Sequence, residues 1–316
     1  MGLFSLIRNF VPRMKKVIYI GAVLLGLVAC GQSYEEQMEL TRAERIRLAK
    51  EDSAALKIGT LPTMDCLPLF VAKERRLFDT LGVDIRLKCF DCQIDCDNAL
   101  RKGRVEGNVT DLVRAEWMKG RGAELRYATA TDLSWQFVTN RKSRINEFKQ
   151  LKDKMLAMTR FSATHLMAEQ VLDSAKLKEG DAFMVQINDP NIRLKMLQNN
   201  ELDAMFLPEP QATTARIWKN PVLMDTRNKD WRFGVIAFRE KVLSDKNRQR
   251  QYQAFLKGYN AAVDSINKYG INSYADLIKK YMKVDDETVR QLPRQKYVHA
   301  SSPRDADVER ARKWVK

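Results

Sequence analysis

The chain has 316 residues, 45% of them hydrophobic, with 14 Gly and 9 Pro. This is the composition of an ordinary globular protein, long enough for two domains or one large one with a substantial core. The formal charge of +15 would suggest nucleic acid if it were concentrated. Its Lys and Arg are instead spread along the chain, with no dense basic block and no interleaved aromatics, so they read as solvated surface charge and no nucleic-acid partner is expected.

In chain order the first feature is an export-like segment. Lys15 and Lys16 precede an apolar run from Val17 to Gly26, closed by Leu27-Val28-Ala29-Cys30 and followed by Gly31-Gln32-Ser33. The run is too short to span a bilayer as a permanent helix, and its charged flank is that of a signal peptide. Gly2 lacks the Ser or Thr four residues on that myristoylation needs, because Leu6 stands there. Met14-Lys15-Lys16 is the natural start of such a segment. The Leu-Val-Ala-Cys ending resembles a bacterial lipobox. That resemblance implies a signal peptide over 1–29, lipidation of Cys30, and a lipidated tether over 30–54. The protein would be exported and lipid-anchored to a cell-envelope membrane, periplasm-facing or at the cell surface. An uncleaved single-pass anchor is the alternative. Arg8, Arg13, Lys15 and Lys16 precede Cys30, so the mature form keeps +11 of the +15, which suits an anionic membrane surface.

Residues 31–53 are polar and read as a partly helical tether. Leu56-Lys57-Ile58-Gly59-Thr60 alternates as a strand, 62–65 is a loop, and 67–77 a helix with Pro68 in its first turn. A strand over 83–87, a helix over 97–102 ended by Gly103, and a strand over 105–109 follow. The order β-α-β-α-β predicts an open sheet with crossover helices. The middle repeats it: strand 154–159, loop 160–164, helix 165–175, strand 183–187, helix 191–198, strand 202–207. Leu100 to Gly107 aligns with Leu197 to Ala204, and in both a helix ends at a residue that tolerates positive φ, Gly103 or Asn200. Residues 242–316 are mainly helical, with Tyr252, Phe255, Leu256, Tyr259, Val263 and Ile266 spaced as a core stripe.

Besides Cys30 there are four cysteines, Cys66, Cys89, Cys92 and Cys96. An even count in an exported chain predicts two disulfides. Cys89, Cys92 and Cys96 are also close enough in sequence to hold a soft metal. A Cys89–Cys92 bridge is awkward along one strand, so Cys66 bonded into the 89–96 segment is favoured.

Three stretches carry a family resemblance. Asp203-Ala204-Met205-Phe206-Leu207-Pro208-Glu209-Pro210 resembles the D-A-x-x-x-P-E-P strand and loop of type II periplasmic (ABC-transporter) substrate-binding proteins. The nearest branch is that of nitrate, sulfonate, taurine and thiamine-pyrimidine-precursor binders. Val105-Glu106-Gly107 through Thr110-Asp111-Leu112 resembles that family's V-D-G-x-x-T-D-L, and Lys152-Asp153-Lys154 with Arg160-Phe161-Ser162-Ala163-Thr164 resembles its second-lobe opening. The resemblance implies an α/β fold of two Rossmann-like lobes with a hinged ligand cleft. Lobe one would be 55–132 and 234–316, lobe two 136–226, with crossings at 129–136 and 225–233. It implies a monomeric solute-binding protein that delivers a small molecule to an ABC permease by hinge closure, without covalent chemistry, cofactor or metal.

Ligands of such folds lie at the carboxyl ends of strands. That places Thr63, Met64, Asp65, Asp111, Phe161, Ser162, Thr164 and Glu209 at the cleft and Trp135 at a crossing. Ser162 and Thr164 at a helix N-terminus, with Arg160 nearby, favour an anion, or they only cap the helix. Asp65, Asp111 and Glu209 favour an amine; Asp111 reads equally as a cap and Glu209 as a structural element. Trp135 and Phe161 are candidates to stack on a flat ring, Trp135 also being explained by packing at the crossing. An anion and an amine are supported equally, and a zwitterion or nitrogen heterocycle satisfies both. Fungal thiamine-pyrimidine synthases share this fold and carry a cysteine-rich iron motif, so an enzyme or metal-dependent sensor is the alternative. Only His165 and His299 are present, which counts against that chemistry.

Overall fold

The computed structural model describes residues 42–316 except 179. The signal segment and Cys30 lie outside the described residues. The described residues divide into two units at 54/55. Of the first, helix α1 (Arg42–Ala54) is described; it is polar, with Ile46 and Leu48 exposed. Among the described residues no helix is long and apolar enough to cross a membrane.

The second unit opens with β1 (Leu56–Thr60), α2 (Leu67–Glu74), β2 (Ile85–Cys89), α3 (Gln93–Arg101), β3 (Gly107–Asp111), α4 (Leu112–Lys119) and β4 (Leu125–Ala130). It continues with β5 (Trp135–Thr139), β6 (Met155–Met158), α5 (Ala163–Ser174), β7 (Phe183–Gln186), α6 (Pro190–Gln198), β8 (Ala204–Pro208), α7 (Gln211–Ile217) and β9 (Val222–Asp225). It closes with β10 (Gly234–Arg239), α8 (Lys246–Tyr269), α9 (Ala275–Met282), α10 (Asp286–Gln291) and α11 (Asp305–Val315).

The strands make two five-stranded sheets, ordered β2-β1-β3-β10-β4 and β7-β6-β8-β5-β9. In each the first three strands are parallel and joined by helices, as the repeated β-α-β-α-β order requires. In each the fourth strand runs antiparallel to its neighbours. The sheets are two copies of one plan, joined by 131–134 and 226–233.

The matched helix ends are matched in detail. Gly103 and Asn200 have φ of 70° and 62°. The N–H of Gly103 donates to Leu100 O and that of Arg104 to Ala99 O, while Asn200 donates to Leu197 O and Glu201 to Met196 O. Both are Schellman caps, which satisfy the last carbonyls of α3 and α6.

Helices α3 and α5 begin earlier than the periodicity predicts, because Cys92 and Ser162 stand extended at their N-caps. The strands expected at 83–87 and 105–109 lie two residues later. β4, β5, β9 and β10 have no clear alternating signal; β5, for example, is buried along its whole length. The stripe of α8 is core as expected: Phe255, Tyr259, Val263 and Ile266 are buried, with Tyr252 and Leu256 packed against them. A second apolar cluster joins Leu112 and Val113 of α4 to Ala163, Leu166 and Met167 of α5, so helices belonging to different sheets share packing.

Candidate functional site

The two sheets face a cavity of about 50 Å³ at the carboxyl ends of their strands. From the first sheet come Pro62 and Thr63 after β1 and Asp91 and Gln93 after β2. From the second come Thr159 and Thr164 after β6, and Asn188 and Arg193 after β7; Leu133 and Trp135 line it from the junction. Strand ends converge here because every β-α connection leaves its sheet on this side.

Arg193 is the dominant charge. It sits in α6, 3% exposed. Its Nε donates to Ile187 O at 2.6 Å, its Nη1 to Phe206 O at 3.0 Å and its Nη2 to Thr159 Oγ1 at 2.6 Å. Burial pushes its pKa down to about 10, against the pull of nearby Asp189, so it stays cationic at neutral pH. Among the described residues no carboxylate forms a salt bridge with it. A buried, unpaired charge is costly unless something opposite approaches it. In sequence Arg193 is inconspicuous, because Lys195 beside it makes the segment read as a solvated face.

The residues expected at the cleft divide. Thr63, Trp135 and Thr164 line the cavity. Thr63 Oγ1 donates to Asp65 Oδ1 at 2.6 Å. The Trp135 N–H donates to Thr226 Oγ1 at 2.9 Å, fastening one junction to the other. Thr164 Oγ1 accepts from the Thr159 N–H at 3.0 Å. Met64 is buried; its N–H donates to Glu209 O at 2.9 Å and its carbonyl accepts from Tyr297 Oη at 2.8 Å.

The others are occupied by the protein itself. Asp65 accepts from Thr63 and Thr131, and burial holds its carboxyl above the ordinary range. Glu209 Oε2 accepts from the Thr213 N–H and hydroxyl, and its Oε1 pairs with Arg216 at 2.9 Å. Ser162 caps α5 through the Thr164 N–H. Asp111 caps α4 through the Arg114 N–H at 2.8 Å and also accepts from Gln93 Nε2 and the Ala163 N–H. Phe161 lies away from the cavity, 39% exposed, its ring stacked on Trp117 at 5.5 Å and its N–H donating to His165 Nδ1.

The expected disulfides are corrected: Cys66, Cys89, Cys92 and Cys96 are free thiols. Each has its own partner. Cys66 Sγ accepts from the Leu61 N–H and Cys89 Sγ from Thr60 Oγ1, while Cys92 faces Asp95 Oδ2 and Cys96 faces Val109 O. Burial pushes Cys66 and Cys96 well up and Cys92 up to about 11, so the thiolate that oxidises or binds metal is scarce. Among the described residues no three His, Cys, Asp or Glu side chains gather as a metal site.

No protein-family model matches the chain. An 88-residue stretch, 28% of this chain, is 31% identical to the nitrate import ATP-binding protein NrtC of Synechococcus elongatus. The match spans only 13% of that protein's length. Among solved structures, the alkanesulfonate-binding protein SsuA of Xanthomonas axonopodis pv. citri bound to MOPS superposes with a TM-score of 0.69 at 17% identity, over 83% of this chain and 90% of that one. The aliphatic sulphonate-binding protein SsuA of Escherichia coli gives 0.68 at 18% identity, over 83% and 85%. The nitrate-binding protein NrtA of Synechocystis PCC 6803 gives 0.65 at 14% identity, over 74% and 68%. The fold is that of the periplasmic binding proteins. These neighbours of the periplasmic-binding-protein fold are the nitrate and sulfonate binders that the sequence motifs resemble. The desulfurization enzyme DSZB shares the fold more distantly, at a TM-score of 0.56.

Proposed function

We propose that this chain is an exported, lipid-anchored solute-binding protein, which captures a small anion-bearing molecule between its lobes and delivers it to an ABC permease. The observation that carries the reading is Arg193, a buried cation without a carboxylate partner among the described residues, lining a cavity between the two sheets. The cavity, about 50 Å³, has room for a few waters or a small oxyanion head group. The Thr159 hydroxyl accepts from Arg193, which leaves its proton to a ligand, and Thr63 and Thr164 stand opposite each other on the two sheets. A solute touching both lobes favours the closed arrangement by its differential affinity for it. The sulfonate- and nitrate-binding neighbours support the same class of cargo. The lipobox-like Cys30 and its tether supply the membrane attachment, and the protein acts as a monomer without covalent chemistry.

Calorimetric titration of the purified full chain with nitrate, sulfate, methanesulfonate and ethanolamine tests this reading. One anion is expected to bind, at least about tenfold more weakly in Arg193→Met, with partial recovery in Arg193→Lys. Binding of the amine alone, or anion binding indifferent to Arg193, would overturn it.

A further inference from the structure

Asp111 lies where β3 passes into α4, 1% exposed. Its Oδ1 accepts two backbone N–H groups. One is Arg114 N at 2.8 Å, in the helix it caps. The other is Ala163 N at 3.1 Å, the first residue of α5, which belongs to the other sheet. Its Oδ2 accepts from Gln93 Nε2 at 2.8 Å. Capping α4 accounts for the Arg114 contact alone. The Ala163 contact reaches across the cleft to a helix that already has its own cap, since Ser162 Oγ accepts from the Thr164 N–H at 3.1 Å. One carboxylate therefore stands between two helix N-termini, where unpaired N–H groups and both helix dipoles place partial positive charge. A second bond crosses at the same point: Arg114 Nη1 donates to Arg160 O at 3.3 Å. Arg114 is held for it by Asp97, whose Oδ2 accepts from Arg114 Nε at 2.7 Å.

We propose that Asp111 is a built-in stand-in for an anion, a latch that holds the two lobes together without a ligand by occupying the N-terminus of α5. The place an incoming anion would take on that helix is filled by the protein's own carboxylate. A solute bound at Arg193 then adds to a cleft that is already fastened. The latch does not depend on the solute-binding reading, and its test contains no cargo.

The distance between spin labels on ketone-bearing unnatural residues at exposed Lys102 and Asn199 is measured by pulsed EPR on the full chain in detergent. Asp111→Ala is expected to raise the open-to-closed ratio at least about tenfold, as loss of a charge-assisted hydrogen bond does. Sodium formate, a free carboxylate, is expected to restore the closed distance in that variant. Asp111→Asn keeps an acceptor for both N–H groups but not the charge, and is expected to open less than Asp111→Ala. Ala163→Pro removes only the donor, at a first helical position where proline is tolerated; it is expected to open and to ignore formate. If Asp111→Ala does not fold, the Ala163→Pro distances decide alone. Closed distances in both variants would overturn the latch, and opening of Asp111→Ala that formate leaves unchanged would overturn the stand-in.

Discussion

Asp111 and Asp132 are both pushed up to about 6 by burial. Asp97 raises Asp111 further while the Arg114 and Gln93 contacts pull it back; Asp65 raises Asp132 while the Val298 N–H and Arg232 pull it back. Carboxyls whose folded pKa is raised bind protons more tightly when folded. Their contribution is fully present below the ordinary value of 3.8 and is lost as pH rises through about 6. Glu116, Asp225 and Glu74 are shifted the other way and lose their contribution in more acid solution. Stability is therefore expected to be greatest near pH 4 to 5, in the ordinary carboxylate range, and to decline towards neutrality. Thermal melts of Asp111→Asn and the parent chain should converge at about pH 3, below the ordinary value of 3.8, and separate at pH 7.5, the variant being more stable by up to about 3 kcal/mol. Parallel curves would show that Asp111 does not titrate in this window. A second residue-scale prediction concerns Gly59 in β1. A Cβ there would come within 2.5 Å of Cys96 Sγ and 3.3 Å of Asn108 Cβ. Gly59→Ala should cost about 1–3 kcal/mol by overpacking, and Cys96→Ala should recover part of that in the double variant; additive losses in denaturant titrations would contradict the contact.

At the scale of elements, the paired Schellman caps of α3 and α6 differ in one residue, Gly103 against Asn200. Because Asn200 already holds φ at 62°, Asn200→Gly should stabilise by a few tenths to about 1 kcal/mol, and Asn200→Val should destabilise. Gly103→Ala is worse placed, since its Cβ would lie 2.4 Å from Arg239 Nη1. Urea midpoints of the three variants order these effects. Helix α11 is a second element with a readable role. Its Ala311 is buried, Arg312 Nε donates to Glu116 Oε2 of α4 at 3.2 Å, and Trp314 Nε1 donates to Glu169 Oε2 of α5 at 2.6 Å. It thus touches helices from both sheets, and Trp314→Phe, which keeps an aromatic ring but drops the N–H and part of the indole's volume, should lower the melting temperature by a degree or more. An unchanged melt would assign the Trp314 bond no weight. Among the parallel strands, β1 and β2 were legible in the sequence because Leu56 to Thr60 and Val83 to Leu87 alternate, and β3 and β8, buried throughout, because Gly103 and Asn200 mark the helix ends before them. The antiparallel strands were not: Gly234-Val235-Ile236-Ala237-Phe238 is buried without alternation, and Trp135 to Thr139 likewise. Of the site, Thr63, Trp135 and Thr164 were reachable from strand-end logic. Arg193 was hidden in a helix whose flanking polar residues read as solvent-facing. Asp65 and Glu209 were named from type and place, but their oxygens are consumed by threonines and Arg216, which no one-dimensional spacing reveals.

For the whole molecule, the fold brings two similar sheets onto one cleft, and Arg193 with the Asp111 contact gives the cleft both a charge and a closure. The proposed membrane attachment is a separate matter, resting on the lipobox-like Cys30. Full-length protein expressed in a bacterium that processes lipoproteins should partition into the detergent phase of a cloud-point extraction. It should carry labelled fatty acid, and Cys30→Ser should lose the label. Detergent partitioning that survives without label would favour the uncleaved anchor.

The first sheet has a property the second lacks. β5 to β9 are contiguous in the chain, whereas β4 pairs with β10 alone, and β10 follows the entire second sheet. During synthesis β4 therefore emerges as an orphan strand, whose one partner in the sheet arrives only with far later residues. Bare edges template association between chains. A ribosome that stalls, or a protease that cuts, between Asp225 and Gly234 would thus release one finished sheet beside one with an empty slot, a sticky fragment rather than a working half.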